Sequence, residues 1–223
     1  MSLEVKICGL STPATLTAAI FGGARYVGFV FYPQSPRFIP PDRAAALAAM
    51  VPSPIVRVGL AVDPRDADLT MLLGRVPLDM IQLHGDERPE RVSEIRKRYG
   101  LPVIKAAAIK RPDDLRRAEE YVGVADRLLF DAKPPPGVVR PGGNAITFDW
   151  SLVKSFTCRI PWFLAGGLHV ANLAVAVRES GAVAVDVSSG VETAPGVKSA
   201  ERIRNFLRAA RTIQTQGPVH DRR

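Results

Sequence analysis

The chain has 223 residues, 47% hydrophobic and 23% charged, the balance of an ordinary globular protein rather than a disordered one. Lys and Arg number 30 against 22 Asp and Glu, a net charge of +8, while aromatics are only 7% and do not interleave with the basic residues; this disfavours a nucleic-acid partner and suits a small anionic substrate. No apolar run approaches the ~20 residues of a membrane helix, Cys8 and Cys158 do not make a disulfide framework, and the histidines and cysteines are too far apart in sequence for metal-ligand spacing.

Met1 to Lys6 hold no basic stretch leading into an apolar segment, so a cytoplasmic location is expected. From there the chain keeps a beat of short β-branched runs and Ala/Leu/Arg-rich amphipathic stretches. Val5 to Cys8 reads as a strand and Pro13 to Phe21 as a helix. Then come Tyr26 to Phe31 with Pro41 to Met50, Ile55 to Val62 with Pro64 to Leu73, and Asp79 to Leu83 with Pro89 to Tyr99. Val103 to Ala107 with Pro112 to Tyr121, Arg127 to Asp131 with Phe148 to Ser155, Ile160 to Ala165 with Val170 to Glu179, and Val183 to Ser188 with Ser199 to Thr212 complete the pattern. Most of the helices open on proline, serine or a similar starter, as N-termini prefer.

Strands alternating with helices predict parallel pairing through right-handed crossovers. The count of strands, their near-uniform spacing and the length favour an α/β fold of the closed (β/α)8 TIM-barrel type, in a single domain. No Gly-x-Gly-x-x-Gly follows the first strand, which disfavours an open dinucleotide-binding sheet. The barrel is expected over residues 1–213 and a polar, fraying tail over 214–223. Two stretches break the beat, Tyr32 to Pro41 and Ala132 to Thr147. Long loops in a compact domain are usually lids or binding loops, and both follow strand C-termini, where barrels keep their active sites. The basic run Arg96-Lys97-Arg98, beside Glu87, Glu90 and Glu94, reads as a solvated helix face.

Strand alternation puts Lys6 with Cys8, Gln82 with His84, Leu129 with Asp131, and Asp186 with Ser188. If each pair points inward, a thiol, two carboxylates, an imidazole and a hydroxyl gather at one mouth, where each needs a partner because buried polar groups are costly. Cys8 could serve as nucleophile or base; a cationic neighbour favours the thiolate, and Lys6 lies two residues away, a layer deeper. Cys158 precedes the seventh strand and reads as structural. Asp131 ends an apolar strand, where burial favours the protonated form that a general acid needs; a helix cap or an ion pair with Lys133 is the alternative. Arg37 has the planar fork that grips a carboxylate. Gly166 and Gly167 after the seventh strand, and Ser188, Ser189 and Gly190 after the eighth, sit where barrels recurrently bind phosphate. Together these residues describe a barrel enzyme for a phosphorylated small molecule, with a thiol and a carboxyl facing each other.

At these positions the chain resembles the phosphoribosylanthranilate isomerase family of tryptophan biosynthesis, over roughly Val5 to Ala209. The resemblance is carried by Lys6-Ile7-Cys8-Gly9, Ser35-Pro36-Arg37-Phe38-Ile39, Gln82-Leu83-His84-Gly85, Phe130-Asp131, Phe148-Asp149-Trp150, Ala165-Gly166-Gly167-Leu168, and Asp186-Val187-Ser188-Ser189-Gly190-Val191-Glu192 with Pro195-Gly196-Val197-Lys198. It implies an Amadori rearrangement with Asp131 as general acid and Cys8 as general base. It implies too that Arg37 holds the anthranilate carboxylate, that Gly166, Gly167, Ser188, Ser189 and Gly190 hold the phosphate, and that His84 and Asp186 line the pocket. No metal or cofactor is implied, and the chain would be a monomer or homodimer. One segment departs from the family, which usually reads Gly-Gly-Ser/Thr-Gly where this chain reads Gly142-Gly143-Asn144-Ala145. The related histidine-pathway isomerase carries an aspartate in place of Cys8, and a catalytically silent barrel is the non-enzymatic alternative.

Overall fold

A computed structural model describes residues 2–133, 142–143, 146–154, 156 and 159–215. Strands β1 (Glu4–Cys8), β2 (Tyr26–Val30), β3 (Val56–Ala61), β4 (Met80–Leu83), β5 (Val103–Ile109), β6 (Arg127–Ala132), β7 (Trp162–Leu164) and β8 (Ala184–Val187) form one closed parallel barrel in chain order, with β8 returning to β1. The helices between and after them are α1 (Pro13–Gly22), α2 (Pro41–Ala48), α3 (Asp66–Leu73), α4 (Pro89–Tyr99), α5 (Pro112–Glu119), α6 (Ser151–Lys154), α7 (Leu173–Ser180) and α8 (Ala200–Thr212). Among the described residues no helix is long and apolar enough to cross a membrane.

The local chemistry explains most boundaries. Proline opens α1, α2, α4 and α5, where its missing N–H is no loss. Ser199 caps α8 by accepting from the Arg202 amide, and left-handed Gly23, Gly100 and Gly181 end α1, α4 and α7. Several helices are shorter than the sequence pattern predicts, and α6 and α7 start three residues late. The Asp149 carboxylate accepts from the Ser151 amide at 3.0 Å, so the expected helix from Phe148 starts only at Ser151. Asn172 accepts from the His169 amide at 2.8 Å and donates to the Gly167 carbonyl at 3.0 Å. That turn consumes the start expected at Val170, and α7 begins at Leu173.

Two apolar layers hold the barrel. Tyr26, Val58, Met80, Ile104, Leu129 and Phe163 fill its interior, with the Tyr26 and Phe163 rings edge to face at 5.0 Å, a favoured aromatic geometry. Residues of the opposite strand faces, such as Ile7, Phe29, Phe130 and Leu164, pack against the helices with Leu16, Phe206 and Leu207. The third set, Cys8, Val30 and Leu60, closes the top of the interior and floors the mouth.

Three smaller features depart from the expected pattern. A 3-10 turn, Ser189–Val191, leads into a hairpin of β9 (Glu192–Ala194) and β10 (Val197–Lys198). Glu87 does not share the solvated face of α4, where Arg96 pairs with Asp126 and Arg98 with Asp66; it is buried against Lys105. Past α8, Gln214 bridges Ser2 and Thr215 is buried, so pairing continues into the first residues of the expected tail. The rest of that tail, Cys158, and the Asn144-Ala145 departure lie outside the described residues.

Candidate active site

A cleft of about 650 Å³, counted with its open mouth, sits at the C-terminal end of the strands; Cys8, Arg37, His84, Asp131, Gly166, Gly167, Asp186, Ser188 and Ser189 all line it. The Gly142-Gly143 pair of the loop after β6 lines it too. Gly190 lies behind this rim, close against the Leu168 carbonyl.

Cys8 ends β1 and is 4% exposed. Burial pushes its thiol above the ordinary value; the Lys6 ammonium pulls the other way, and burial prevails. Burial therefore disfavours the thiolate, the form a base needs, despite the Lys6 cation beside it. Lys6 occupies the layer below, fully buried, and its Nζ donates to Asp186 Oδ1 at 2.9 Å. Burial alone would lower the Lys6 pKa, but Asp186 and Cys8 reverse the shift and raise it. Gly28, paired with Cys8 across the strands, makes this approach possible. A methyl group there would stand 3.1 Å from Cys8 Sγ and 3.2 Å from Lys6 Nζ.

Asp131 ends the apolar run of β6 across the mouth. Its Oδ1 accepts from the Ala132 amide at 2.8 Å, and its Oδ2 lies 3.3 Å from His84 Nε2. Among the described residues neither alternative anticipated for it holds: Asp131 caps no helix, and Lys133 pairs instead with Asp114 at 3.8 Å. His84 is in turn held by Gln82, whose amide nitrogen is 2.9 Å from Nδ1.

Arg37 is 5% exposed, unlike an ordinary loop arginine. Glu192 takes both its Nε, at 2.7 Å, and its Nη2, at 2.9 Å. Nη2 also donates to the Gly143 carbonyl at 3.2 Å. Lys198 Nζ donates to the same Glu192 carboxylate at 2.5 Å and to Ser188 Oγ and the Ser188 carbonyl at 3.1 Å each. The Ser188 hydroxyl donates to the Cys8 carbonyl at 3.2 Å. One buried network thus ties the arginine on one side of the mouth to the serine loop on the other. Glu192 and Lys198 entered the sequence reading only as parts of a motif. The Pro195-Gly196 pair between them, with Gly196 at φ +83°, is a turn signal that marks the hairpin bringing them together.

Gly166 and Gly167 both adopt left-handed conformations, φ +84° and +63°, a region glycine enters without a Cβ penalty. They bring the end of β7 beside β6: a Cβ on Gly166 would stand 2.8 Å from the Ala132 nitrogen and 3.3 Å from Asp131 Oδ1.

A closed parallel barrel whose strand C-termini surround a cleft lined by a thiol, a carboxyl and a buried arginine belongs to the class of barrel enzymes acting on small charged molecules. Comparison with known proteins narrows the class. The family model for N-(5'phosphoribosyl)anthranilate (PRA) isomerase matches residues 5–209. An N-(5'-phosphoribosyl)anthranilate isomerase of Paramagnetospirillum magneticum is 57% identical over 211 residues, 95% of this chain and 98% of the relative. The solved phosphoribosyl anthranilate isomerase of Thermotoga maritima superposes with a TM-score of 0.85 at 35% identity, covering 95% of this chain and 100% of that one. A further solved isomerase, in complex with reduced 1-(o-carboxyphenylamino)-1-deoxyribulose 5-phosphate, gives 0.82 at 33% identity, over 95% and 100%. The chain belongs to the N-(5'-phosphoribosyl)anthranilate isomerase family, enzymes of tryptophan biosynthesis.

Proposed function

We propose that this chain catalyses the Amadori rearrangement of N-(5'-phosphoribosyl)anthranilate to 1-(2-carboxyphenylamino)-1-deoxyribulose 5-phosphate, with Asp131 as general acid and Cys8 as general base. Asp131, in its protonated form, gives its proton to the furanose ring oxygen. The bond from that oxygen to C1 breaks, and the anilino nitrogen supplies the electron pair that makes the protonated Schiff base. Cys8, as thiolate, takes the proton from C2; the C–H electrons form the C1–C2 double bond, and the nitrogen regains its pair. The enolamine then gives up its C2 hydroxyl proton, gains one at C1 and becomes the ketone. One proton has left Asp131 and one has reached Cys8, so the pair is reset by a net transfer between them.

Arg37 is the anchor for the anthranilate carboxylate, since a guanidinium held by Glu192 is already oriented. The ends of β7 and β8, with Gly166, Gly167, Ser188, Ser189 and Gly190, take the phosphate. Gly190 contributes through the packing of that loop. The Ser188 hydroxyl already donates to Cys8 and accepts from Lys198, so backbone N–H groups are the natural phosphate donors. His84 and Asp186 complete the walls.

The observation that carries this reading is the placement of Cys8 and Asp131 on one cleft, between a buried arginine and the two strand ends that barrels use for phosphate. The test is to mix purified protein with freshly made N-(5'-phosphoribosyl)anthranilate and follow the loss of anthranilate fluorescence. Proton transfers alone complete the conversion, so no metal or cofactor is added. Rapid decay is the expected result; folded protein that leaves the fluorescence unchanged contradicts the proposal.

A further inference from the structure

Gln82 sits on β4 in the interior of the barrel, fully buried. Its amide nitrogen is 2.9 Å from His84 Nδ1, and its carbonyl oxygen Oε1 finds no hydrogen-bond partner among the described residues. A buried polar side chain with half its capacity unused is a poor filler for a barrel, where an aliphatic residue packs without that penalty. What it gains is one directed contact. With its amide nitrogen toward the ring, Gln82 donates, Nδ1 accepts and the ring proton resides on Nε2. Nε2 itself lies 3.3 Å from Asp131 Oδ2.

We propose that Gln82 is a positioning residue that locks His84 in its Nε2–H tautomer and so keeps the acidic proton of Asp131 turned toward the substrate. The inference rests on the assignment of Asp131 as the general acid. Oδ2 has two lone-pair directions. When Nε2–H is turned into one, the carboxyl proton is left the other. As that proton leaves, the bond from His84 becomes charge-assisted and, with the Ala132 amide on Oδ1, stabilises the developing carboxylate. The opposite tautomer would present a bare Nε2, which would accept the Asp131 proton itself and aim it away from the sugar. Gln82 acts from below on the ring beside the acid, so its effect falls on the chemical step and not on substrate affinity.

The test reads the tautomer directly. Full-length protein labelled with 15N-histidine is examined by long-range 1H–15N correlation. The chain holds only three histidines, and His84→Gln identifies the signal. The expected wild-type pattern is a protonated Nε2 with a bare Nδ1; an Nδ1–H pattern overturns the proposal without any variant of Gln82. Gln82→Met then keeps the length of the side chain and removes the donor. A mixture of both tautomers is expected, with kcat lowered about tenfold and KM within about twofold of wild type. A Gln82→Met protein that keeps the wild-type spectrum or the wild-type kcat overturns it. Wild-type protein without turnover would defeat the functional reading instead, and the spectrum would still decide the tautomer.

Discussion

Glu192 grips Arg37 through two hydrogen bonds, Nε to Oε1 at 2.7 Å and Nη2 to Oε2 at 2.9 Å, with both side chains buried. A loop arginine that would otherwise sweep a wide volume is thereby held at the wall of the cleft, and Nη1 makes no hydrogen bond among the described residues. The second cation on Glu192, Lys198, leaves the trio with a net positive charge in a poorly hydrated place. That charge favours an incoming carboxylate.

Glu192→Gln keeps the shape of the side chain and removes the charge that holds both cations. KM for the phosphoribosyl substrate is expected to rise about tenfold, equivalent to ~1.4 kcal/mol of binding, while kcat changes by less than about threefold, because an Arg37 that serves as the proposed anchor would grip ground and transition states alike. Steady-state kinetics check this. A fall in kcat at unchanged KM would mean that Arg37 serves the chemistry and not the anchoring.

The same pair predicts a pH dependence. Burial alone would push the Glu192 carboxyl up, but the hydrogen bonds from Arg37 and the charge of Lys198 prevail and hold it below its ordinary value of 4.5. A carboxyl depressed in the folded state contributes stability that is present above the ordinary value and is lost as pH falls through the lowered one. Asp66, Asp68 and Asp79 are also depressed by their arginines, but wild type and Glu192→Gln share them. The melting-temperature difference between the two proteins should therefore be largest above pH 4.5 and close as the solution is acidified below it. A difference that stays constant into strong acid would contradict the assignment.

Lys6 and Asp186 are a buried pair whose members depend on each other. Removing one charge leaves the other unmatched, which costs about 3–5 kcal/mol, whereas replacing both by apolar residues is often near neutral. Lys6→Met is expected to lower the melting temperature by roughly 10 °C, and Lys6→Met with Asp186→Leu to recover most of that loss. Thermal unfolding of the two variants decides the point; a single variant as stable as wild type would show the pair to be dispensable.

Much of this was legible in the sequence because it is local. The alternation of β-branched runs with amphipathic helices fixes the barrel, and the two-residue period places Cys8, His84, Asp131 and Asp186 on inward faces at strand ends. The partnerships were not legible. Arg37 and Glu192 lie 155 positions apart, so nothing near Arg37 distinguishes it from a solvated loop arginine. Glu87 stands among helix charges in sequence, yet it pairs with Lys105 of the next strand. The thiol of Cys8 also reads differently in three dimensions. A cation beside it suggests an easily formed thiolate, but the enclosure that brings Lys6 close also removes the water that would stabilise the anion.

The most direct test of the account compares turnover of N-(5'-phosphoribosyl)anthranilate by wild type, Cys8→Ala and Asp131→Asn at matched concentrations, with circular dichroism confirming that all three are folded. In the proposed mechanism each substitution removes one half of the proton exchange, so each should lower kcat by at least ~10². A near-normal rate in either folded variant would contradict the role given to that residue.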